Sequence, residues 1–335
     1  MILWVVISAC VVMVTMFTKW LIGKQTVGNY GDRYVLITGC NSGFGNLLAK
    51  RLDSLGFNVF AACHSDNGVD ELNAATSERL VTFKLEIADV SSIRSAVEFV
   101  KSRIPAGTGL WALINNAGTA ASLGPVDWLE RQDYASALDV NLLGLVDITR
   151  SFLPLLREGQ GRVINMSSIL TKVGMGPSPY VVSKYAVEGF SDCLRLELFR
   201  QGVSVIVLQP GFYRTNFLPV ETMVVKYKQS FRHAHQDVQA FYGEEYLDKA
   251  LKHCHDIDSL TSSDLSQVTR AYVHAVTARF PRARYIVGRD ANIMFRVLWI
   301  LPLWMKDRLL ALQYIQPEGT LTQKHRQSAK GGISS

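Results

Sequence analysis

From Tyr34 onward, short apolar runs alternate with amphipathic stretches. Tyr34-Val35-Leu36-Ile37, Val59-Phe60-Ala61-Ala62, Leu80-Val81-Thr82-Phe83, Ala112-Leu113-Ile114, Arg162-Val163-Ile164-Asn165 and Val203-Ser204-Val205-Ile206-Val207 read as successive strands. Their apolarity is continuous rather than alternating, which marks strands buried on both faces, as in a parallel sheet. The intervening stretches are long enough to be crossover helices. The pattern predicts an α/β fold with a doubly wound parallel sheet, whose ligands bind beyond the carboxyl ends of the strands. No repeat or linker breaks 34–211, so one domain is placed over residues 30–290. Residues 217–263 are helix-rich, polar and aromatic and read as an insertion covering the site, with Tyr227, Phe231, Phe241 and Tyr246 as lining candidates.

The two ends break this pattern. Met1 to Thr18 has no charged side chain and is closed by Lys19, Trp20 and Lys24. As a helix that length just spans about 30 Å of bilayer hydrocarbon. A cleaved signal would want a basic start and a small-residue cleavage site, and neither is clear. A buried helix would not need to be apolar on every face. Residues 1–23 are therefore expected to be an N-terminal membrane anchor helix. Lysines downstream and only an α-amine upstream favour a cytosolic globular domain. Near the other end, Val297-Leu298-Trp299-Ile300-Leu301-Pro302-Leu303-Trp304-Met305 is apolar, flanked by Arg296, Lys306 and Arg308, and too short to span. Within the apolar segment 291–316, it either packs over the substrate cleft or dips into the membrane surface; both readings stay open. The polar tail 317–335 is expected to be disordered.

Composition narrows the function classes. Nearly half of the 335 residues are apolar, 48%, which supplies a large core. The net charge of +6 is spread out, without the basic run and interleaved aromatics that nucleic-acid binding would need. Cys10, Cys40, Cys63, Cys193 and Cys254 lack metal or disulfide spacing. The pairs His233/His235 and His253/His255 do not share a helix face and have no carboxylate framework, so no metal is expected.

Chemistry enters after the first strand. Thr38-Gly39-Cys40-Asn41-Ser42-Gly43-Phe44-Gly45 leads straight into the helical Asn46-Leu47-Leu48-Ala49-Lys50. Glycines there permit a tight turn and close backbone approach to a pyrophosphate, with the helix N-terminus supplying partial positive charge. Its position makes the sheet Rossmann-type. Asn115-Asn116-Ala117-Gly118 follows the fourth run, where a strand end borders the same cleft. Ser168 ends the fifth run, Tyr180 lies twelve positions on, and Lys184 four beyond that. On a helix, Tyr180 and Lys184 share a face. A phenol of ordinary pKa near 10 is a poor base at neutral pH, and a neighbouring ammonium favours phenolate. Ser168 can then bond a substrate oxygen while Tyr180 moves its proton.

With Asn141 and Pro210-Gly211, these residues resemble the short-chain dehydrogenases/reductases in order and spacing, over roughly Tyr34 to Thr215. Gly109 to Gly118 and Ser183-Lys184-Tyr185-Ala186-Val187-Glu188-Gly189-Phe190-Ser191-Asp192 look like that family's retinol/hydroxysteroid dehydrogenase branch, which also includes a 3-hydroxybutyrate dehydrogenase. The resemblance implies Tyr180 as general acid/base and Lys184 as its partner and ribose ligand. It implies Ser168 as the residue orienting the substrate oxygen, and Asn141 as support for a proton-relay water. Its implied cofactor contacts are Gly39, Asn41, Ser42, Gly43, Phe44, Gly45, Glu86, Ile87, Asn116, Ala117, Gly118, Tyr180, Lys184, Pro210, Gly211, Tyr213 and Thr215, the last two approaching the nicotinamide. Asn41 and Glu86 stand where the branch usually has Asp. Branch members typically carry N-terminal anchors, so the resemblance implies attachment to the endoplasmic reticulum membrane, with a mitochondrial membrane as the alternative.

The expected activity is oxidation of a lipophilic alcohol, of retinol or hydroxysteroid type, or reduction of its carbonyl. The alternatives are a 3-hydroxybutyrate-type dehydrogenase and a non-catalytic dinucleotide-binding member of the fold. NAD is favoured over NADP, because Ala62-Cys63-His64 and the glycine turn offer no Arg or Lys for a 2′-phosphate and Asp66 lies close by. Membrane lipid is an expected partner, and a homodimer stays open.

Overall fold

The computed structural model describes residues 4, 7, 8, 11, 13, 14, 17, 18 and 23–320. Most of the expected anchor, and the tail from 321 onward, lie outside the described residues. Among the described residues, no helix is long and apolar enough to cross a membrane.

Seven parallel strands form one sheet: β1 (Tyr34–Thr38), β2 (Asn58–Cys63), β3 (Leu80–Lys84), β4 (Ala112–Asn115), β5 (Arg162–Met166), β6 (Ser204–Pro210) and β7 (Arg284–Val287). Their order is β3-β2-β1-β4-β5-β6-β7. The direction of winding reverses between β1 and β4, and the cleft that opens there is where such sheets take their ligands. Each of the six apolar runs overlaps one strand. The seventh strand was not read from sequence: it has four residues and one flank only, and its burial alternates.

The helices are α1 (Gly43–Ser54), α2 (Asp66–Asn73), α3 (Val90–Lys101), α4 (Arg131–Leu138), α5 (Gly144–Glu158), α6 (Ser178–Leu198), α7 (Val220–His233), α8 (Gln236–Tyr242), α9 (Glu244–Leu260), α10 (Ser266–Thr277), α11 (Arg289–Asn292), α12 (Met294–Ile300) and α13 (Leu303–Ala311). Because strand side chains alternate, Val35 and Ile37 enter one core with Leu48, Leu52, Tyr272 and Val276 of α1 and α10. Leu36 enters the other core, with Ile148 and Phe152 of α5 and Leu194 of α6. Both faces are therefore covered, as the continuous apolar runs require.

The inserted helices build a small core of their own. Trp128, Phe231, Tyr242 and Leu247 are its buried members, with Tyr227, Phe241 and Tyr246 packed against them. The four aromatics expected to line a cleft are thus engaged with Trp128 and one another, and the Tyr242 hydroxyl donates to Asp127 at 2.7 Å. Tail residue Glu318 accepts from the Glu245 N–H at 3.1 Å, which satisfies a free donor at the start of α9.

The C-terminal segment splits its faces. Phe295, Leu298 and Leu310 pack against Ile169, Leu170, Val173 and Val181. Val297, Ile300, Leu303, Trp304 and Leu312 point outward and are exposed. Pro302 separates α12 from α13 as N-cap of the latter. On the sheet's other side, residues following Gly23 are fixed to α10: Val27 N–H donates to Thr277 O at 2.8 Å, and Arg279 N–H donates to Gln25 O at 2.8 Å.

Candidate active site

The reacting side chains converge because β5 ends beside α6. Ser168 caps a 3-10 turn, Ile169–Lys172, and its hydroxyl oxygen accepts the Leu170 N–H at 3.2 Å. Pro177 opens α6, where its fixed φ suits a helix start. Four-residue spacing then puts Tyr180 and Lys184 on the face turned to Ser168. The Lys184 ammonium is buried, donates to Met166 O at 3.0 Å and lies 5.8 Å from the centre of the Tyr180 ring. Tyr180 is half-buried, and the Ser168 hydroxyl lies near enough for a bond to it to favour the phenolate. Burial pushes its phenol up to about 12, against the downward pull of that bond, and pushes Lys184 down to about 8. In the protein alone the phenol is therefore neutral at physiological pH while Lys184 still carries its charge, and phenolate needs a further positive charge.

Asn141 lies in a π-helical turn, Asp139–Leu143, the kind of irregular turn that often marks a functional site. Its amide is fully engaged. Oδ1 accepts Thr119 N–H at 2.8 Å, and Nδ2 donates to Thr119 O and to Ser183 Oγ, both at 2.9 Å. The side chain thus clamps the loop after Gly118 to α6. A Cβ at Gly118 would stand 3.0 Å from Asn141 Oδ1 and 3.5 Å from Lys184 Nζ, so only glycine leaves this floor open.

The turn after β1 is shaped by its backbone. Gly39 and Gly43 hold φ of +73° and +62°, where side chains are strained. A Cβ at Gly39 would meet Ala117 Cα at 2.8 Å, and one at Gly45 would meet the Asn116 amide nitrogen at 2.6 Å. Strand end, turn and helix are therefore pressed together as a pyrophosphate site requires. Ser42 caps α1 without spending its side chain, and no acid occupies the first turn, so the N–H groups there face no competing anion. These residues fit a dinucleotide.

Other expected contacts take structural roles. Asn116 donates to Thr38 O at 3.0 Å and Gly39 O at 3.1 Å, locking β1 to the β4 loop. Asn41 donates to Ser65 Oγ at 2.5 Å and accepts the His64 N–H at 2.6 Å, so an amide here staples the glycine turn to the loop after β2. Ile87 is buried, with its carbonyl against Gly144. Glu86 pairs with His64 at 3.0 Å. Pro210 ends β6, and Gly211 donates to Val287 O at 2.8 Å. Thr215 lies over Gly43, 3.7 Å from a Cβ built there. Tyr213 packs edge-on to Phe44 at 5.7 Å and bonds Gln267 at 3.1 Å.

Sequence reasoning missed three participants. Asp290 accepts the Phe212 N–H at 2.7 Å and so holds the loop after β6. The Phe217 ring sits 6.0 Å from Tyr180 and walls the cleft. Lys84, directly across from Cys63 in the sheet, brings a cation to the ribose-facing corner, paired with Asp66 at 2.8 Å. Its place at the end of β3 was a usable signal. Cys63 itself is fully buried and faces the core.

The model of the short chain dehydrogenase family matches residues 33–222. Retinol dehydrogenase 16 of Mus musculus is 42% identical over 298 residues, 89% of this chain and 94% of the relative. The 17-beta-hydroxysteroid dehydrogenase type 6 of Homo sapiens is 39% identical over 298 residues, again 89% and 94%. Among solved structures, a short chain dehydrogenase/reductase from Burkholderia phymatum in complex with NAD superposes with a TM-score of 0.66 at 19% identity, covering 87% of this chain and 99% of that one, a likeness of fold.

Proposed function

This chain belongs to the short chain dehydrogenase family, in its retinol/hydroxysteroid branch, and from that premise we propose that it is an NAD-dependent oxidoreductase of lipophilic alcohols such as retinol or a hydroxysteroid. The observation that carries this reading is the convergence of Ser168, Tyr180 and Lys184 beside a glycine-built cradle. The bound dinucleotide would supply the hydride acceptor and, when oxidised, a positive charge near the phenol. Ser168 orients the alcohol oxygen. Tyr180, whose ionised form Lys184 favours, would take the hydroxyl proton as the carbinol hydrogen, with its bonding electron pair, is given up to that acceptor. Asn141 keeps the floor beside Lys184 in place.

Cofactor choice rests on the corner at the end of β2. Lys84 is a full cation there, but Asp66 neutralises it, and Glu86 adds a second acid beside His64. A 2′-phosphate would meet more negative than positive charge, which favours NAD. Initial rates on membranes from expressing cells test both points, with all-trans-retinol, 3α- and 17β-hydroxysteroids and 3-hydroxybutyrate as substrates and NAD or NADP as cofactor. Turnover of retinol or a steroid with NAD is expected, with kcat/KM about tenfold or more above NADP, and Asp66→Asn or His64→Arg is expected to narrow that gap. Preference for 3-hydroxybutyrate would refute the lipophilic assignment. Dinucleotide binding without turnover of any substrate would point to the non-catalytic alternative.

A lipophilic substrate fits attachment to the endoplasmic reticulum membrane with the catalytic domain towards the cytosol. The apolar run of residues 1–18 supports this, as does the outward face of Val297, Ile300, Leu303 and Trp304, flanked in sequence by Arg296, Lys306 and Arg308. The full-length protein is expected to resist alkaline carbonate, and deletion of residues 1–23 to leave peripheral, salt-sensitive binding through the C-terminal face. Carbonate release of the intact chain would count against an integral anchor.

A further inference from the structure

One buried carboxylate near the site is unused by the proposed chemistry. Glu188 lies one turn beyond Lys184 on α6, is 8% exposed, and gathers donors from three other segments. Its Oε1 accepts from Ser167 Oγ at 2.9 Å, from Gln209 Nε2 of β6 at 2.5 Å and from Thr171 Oγ1. Its Oε2 accepts from Lys172 Nζ at 2.9 Å and from Arg284 Nη1 of β7 at 2.7 Å. Ser167 and Thr171 flank Ser168 on either side. The Thr171 hydroxyl also lies 2.7 Å from the Ser168 carbonyl, and the Ser167 hydroxyl 3.5 Å from the Lys184 carbonyl.

We propose that Glu188 is a positioning residue: its carboxylate fixes segment 167–172, and with it the Ser168 hydroxyl, against the Tyr180/Lys184 face of α6. This rests on the reading of Ser168, Tyr180 and Lys184 as the reacting group. Stability alone is a weak reason for such a cluster, because buried ion pairs often add little over apolar packing of the same volume. A catalytic hydroxyl, by contrast, must be held to a fraction of an ångström by groups that are themselves locked. Glu188 holds Ser167 and Thr171, one on either side of Ser168, at once.

The charges around Glu188 are Lys172 from the turn, Arg284 from β7, and Asp192 and Arg195 from its own helix, with Tyr185 adjacent. Lys184 is the charge next to Tyr180. These facts give positioning and direct electrostatics opposite signs. If Glu188 acted on Tyr180 through its charge, removing that charge would favour phenolate and lower the tyrosine's ionisation pH. If it acts by holding Ser168, removing it loosens a hydrogen bond that favours phenolate, and the ionisation rises.

The test uses full-length Glu188→Gln and, in case that variant folds poorly, Thr171→Val, which keeps the carboxylate and both its cations. Tyr180 ionisation is followed on the NAD-saturated protein by its ultraviolet tyrosinate band, each variant differenced against the same variant carrying Tyr180→Phe. Turnover is read with whichever alcohol of the panel above is active. Glu188→Gln is expected to raise the ionisation by about one pH unit, as for loss of a hydrogen bond to a charged group. Its kcat should fall about 10–100-fold, with dinucleotide affinity unchanged. Thr171→Val should shift ionisation the same way, with about a fivefold fall. An ionisation that stays or moves down in both variants, with only a lower Tm, overturns the proposal. If no tyrosinate signal depends on Tyr180, the underlying reading of the site fails instead, whatever Glu188 does.

Discussion

Tyr180→Phe is expected to lower kcat by about 10²–10⁴-fold while leaving dinucleotide affinity nearly unchanged. The substitution deletes only the phenolic oxygen. The ring keeps its place beside Phe217 and its packing with Ile169, Val181 and Phe295. The cradle of Gly39, Gly43 and Gly45 stands on other elements and does not depend on it. Steady-state rates with the best alcohol of the panel, and a fluorescence titration with NADH, separate the two effects. A variant retaining more than about a tenth of wild-type kcat would show that the proton is moved by some other group. A variant that loses NADH affinity in parallel would mean that the phenol serves binding rather than proton transfer.

Lys184→Met is expected to act in opposite directions on catalysis and on stability. Catalysis should fall by about 10² or more, because the phenol, already pushed up to about 12 by burial, loses the ammonium that favours its ionised form. Stability at neutral pH should rise. The folded-state pKa of Lys184 is about 8, below its ordinary 10.5, because burial disfavours the charged form. Below pH 8 the lysine is protonated in both states, and the fold carries the full cost of burying the charge. Between pH 8 and 10.5 the unfolded chain holds a proton that the folded one has shed, so stability climbs with pH. Above 10.5 the cost is gone. A shift from 10.5 to about 8 corresponds to about 3 kcal/mol. The lost bond to Met166 O returns about 1 kcal/mol of that. Methionine fills the same space without the charge, so Tm should rise by a few degrees at pH 7, and the difference from wild type should shrink towards pH 10. A difference that is negative, or constant from pH 7 to 10, would mean that Lys184 is not under strain from burial.

The ribose corner shows why a local reading of cofactor choice was incomplete. Along the chain, Cys63, His64 and Asp66 suggest a pocket without a cation. Lys84 lies about twenty positions later and is invisible to that reading, yet pairing of β2 with β3 sets it across from Cys63. The same pairing shows that Cys63 faces the core, so an arginine there would be buried rather than presented to a phosphate. His64 is the position from which a cation could reach one.

What the sequence determined by itself is whatever short-range physics dictates. Strands buried on both faces must be continuously apolar, so six of the seven were legible, and a turn that needs positive φ must spend glycine, which marked Gly39 and Gly43. Four residues make about one helical turn, so Tyr180 and Lys184 were bound to share a face once a helix was inferred. Tertiary structure decided everything that depends on which distant segments meet. β7 is legible only as a short edge completing the sheet, and Asp290 matters only because the loop after β6 lies beside it. The aromatics of 217–263 could line a cleft or fill a core with equal composition, and it was Trp128, arriving from another loop, that drew them inward. The C-terminal segment did not have to choose between packing and exposure, since a helix has two faces and Phe295 and Val297 lie on different ones. Glu188 reads locally as one more charge on a helix. Five donors from three other segments make it a hub, and their convergence exists only once β5, β6, β7 and α6 have packed.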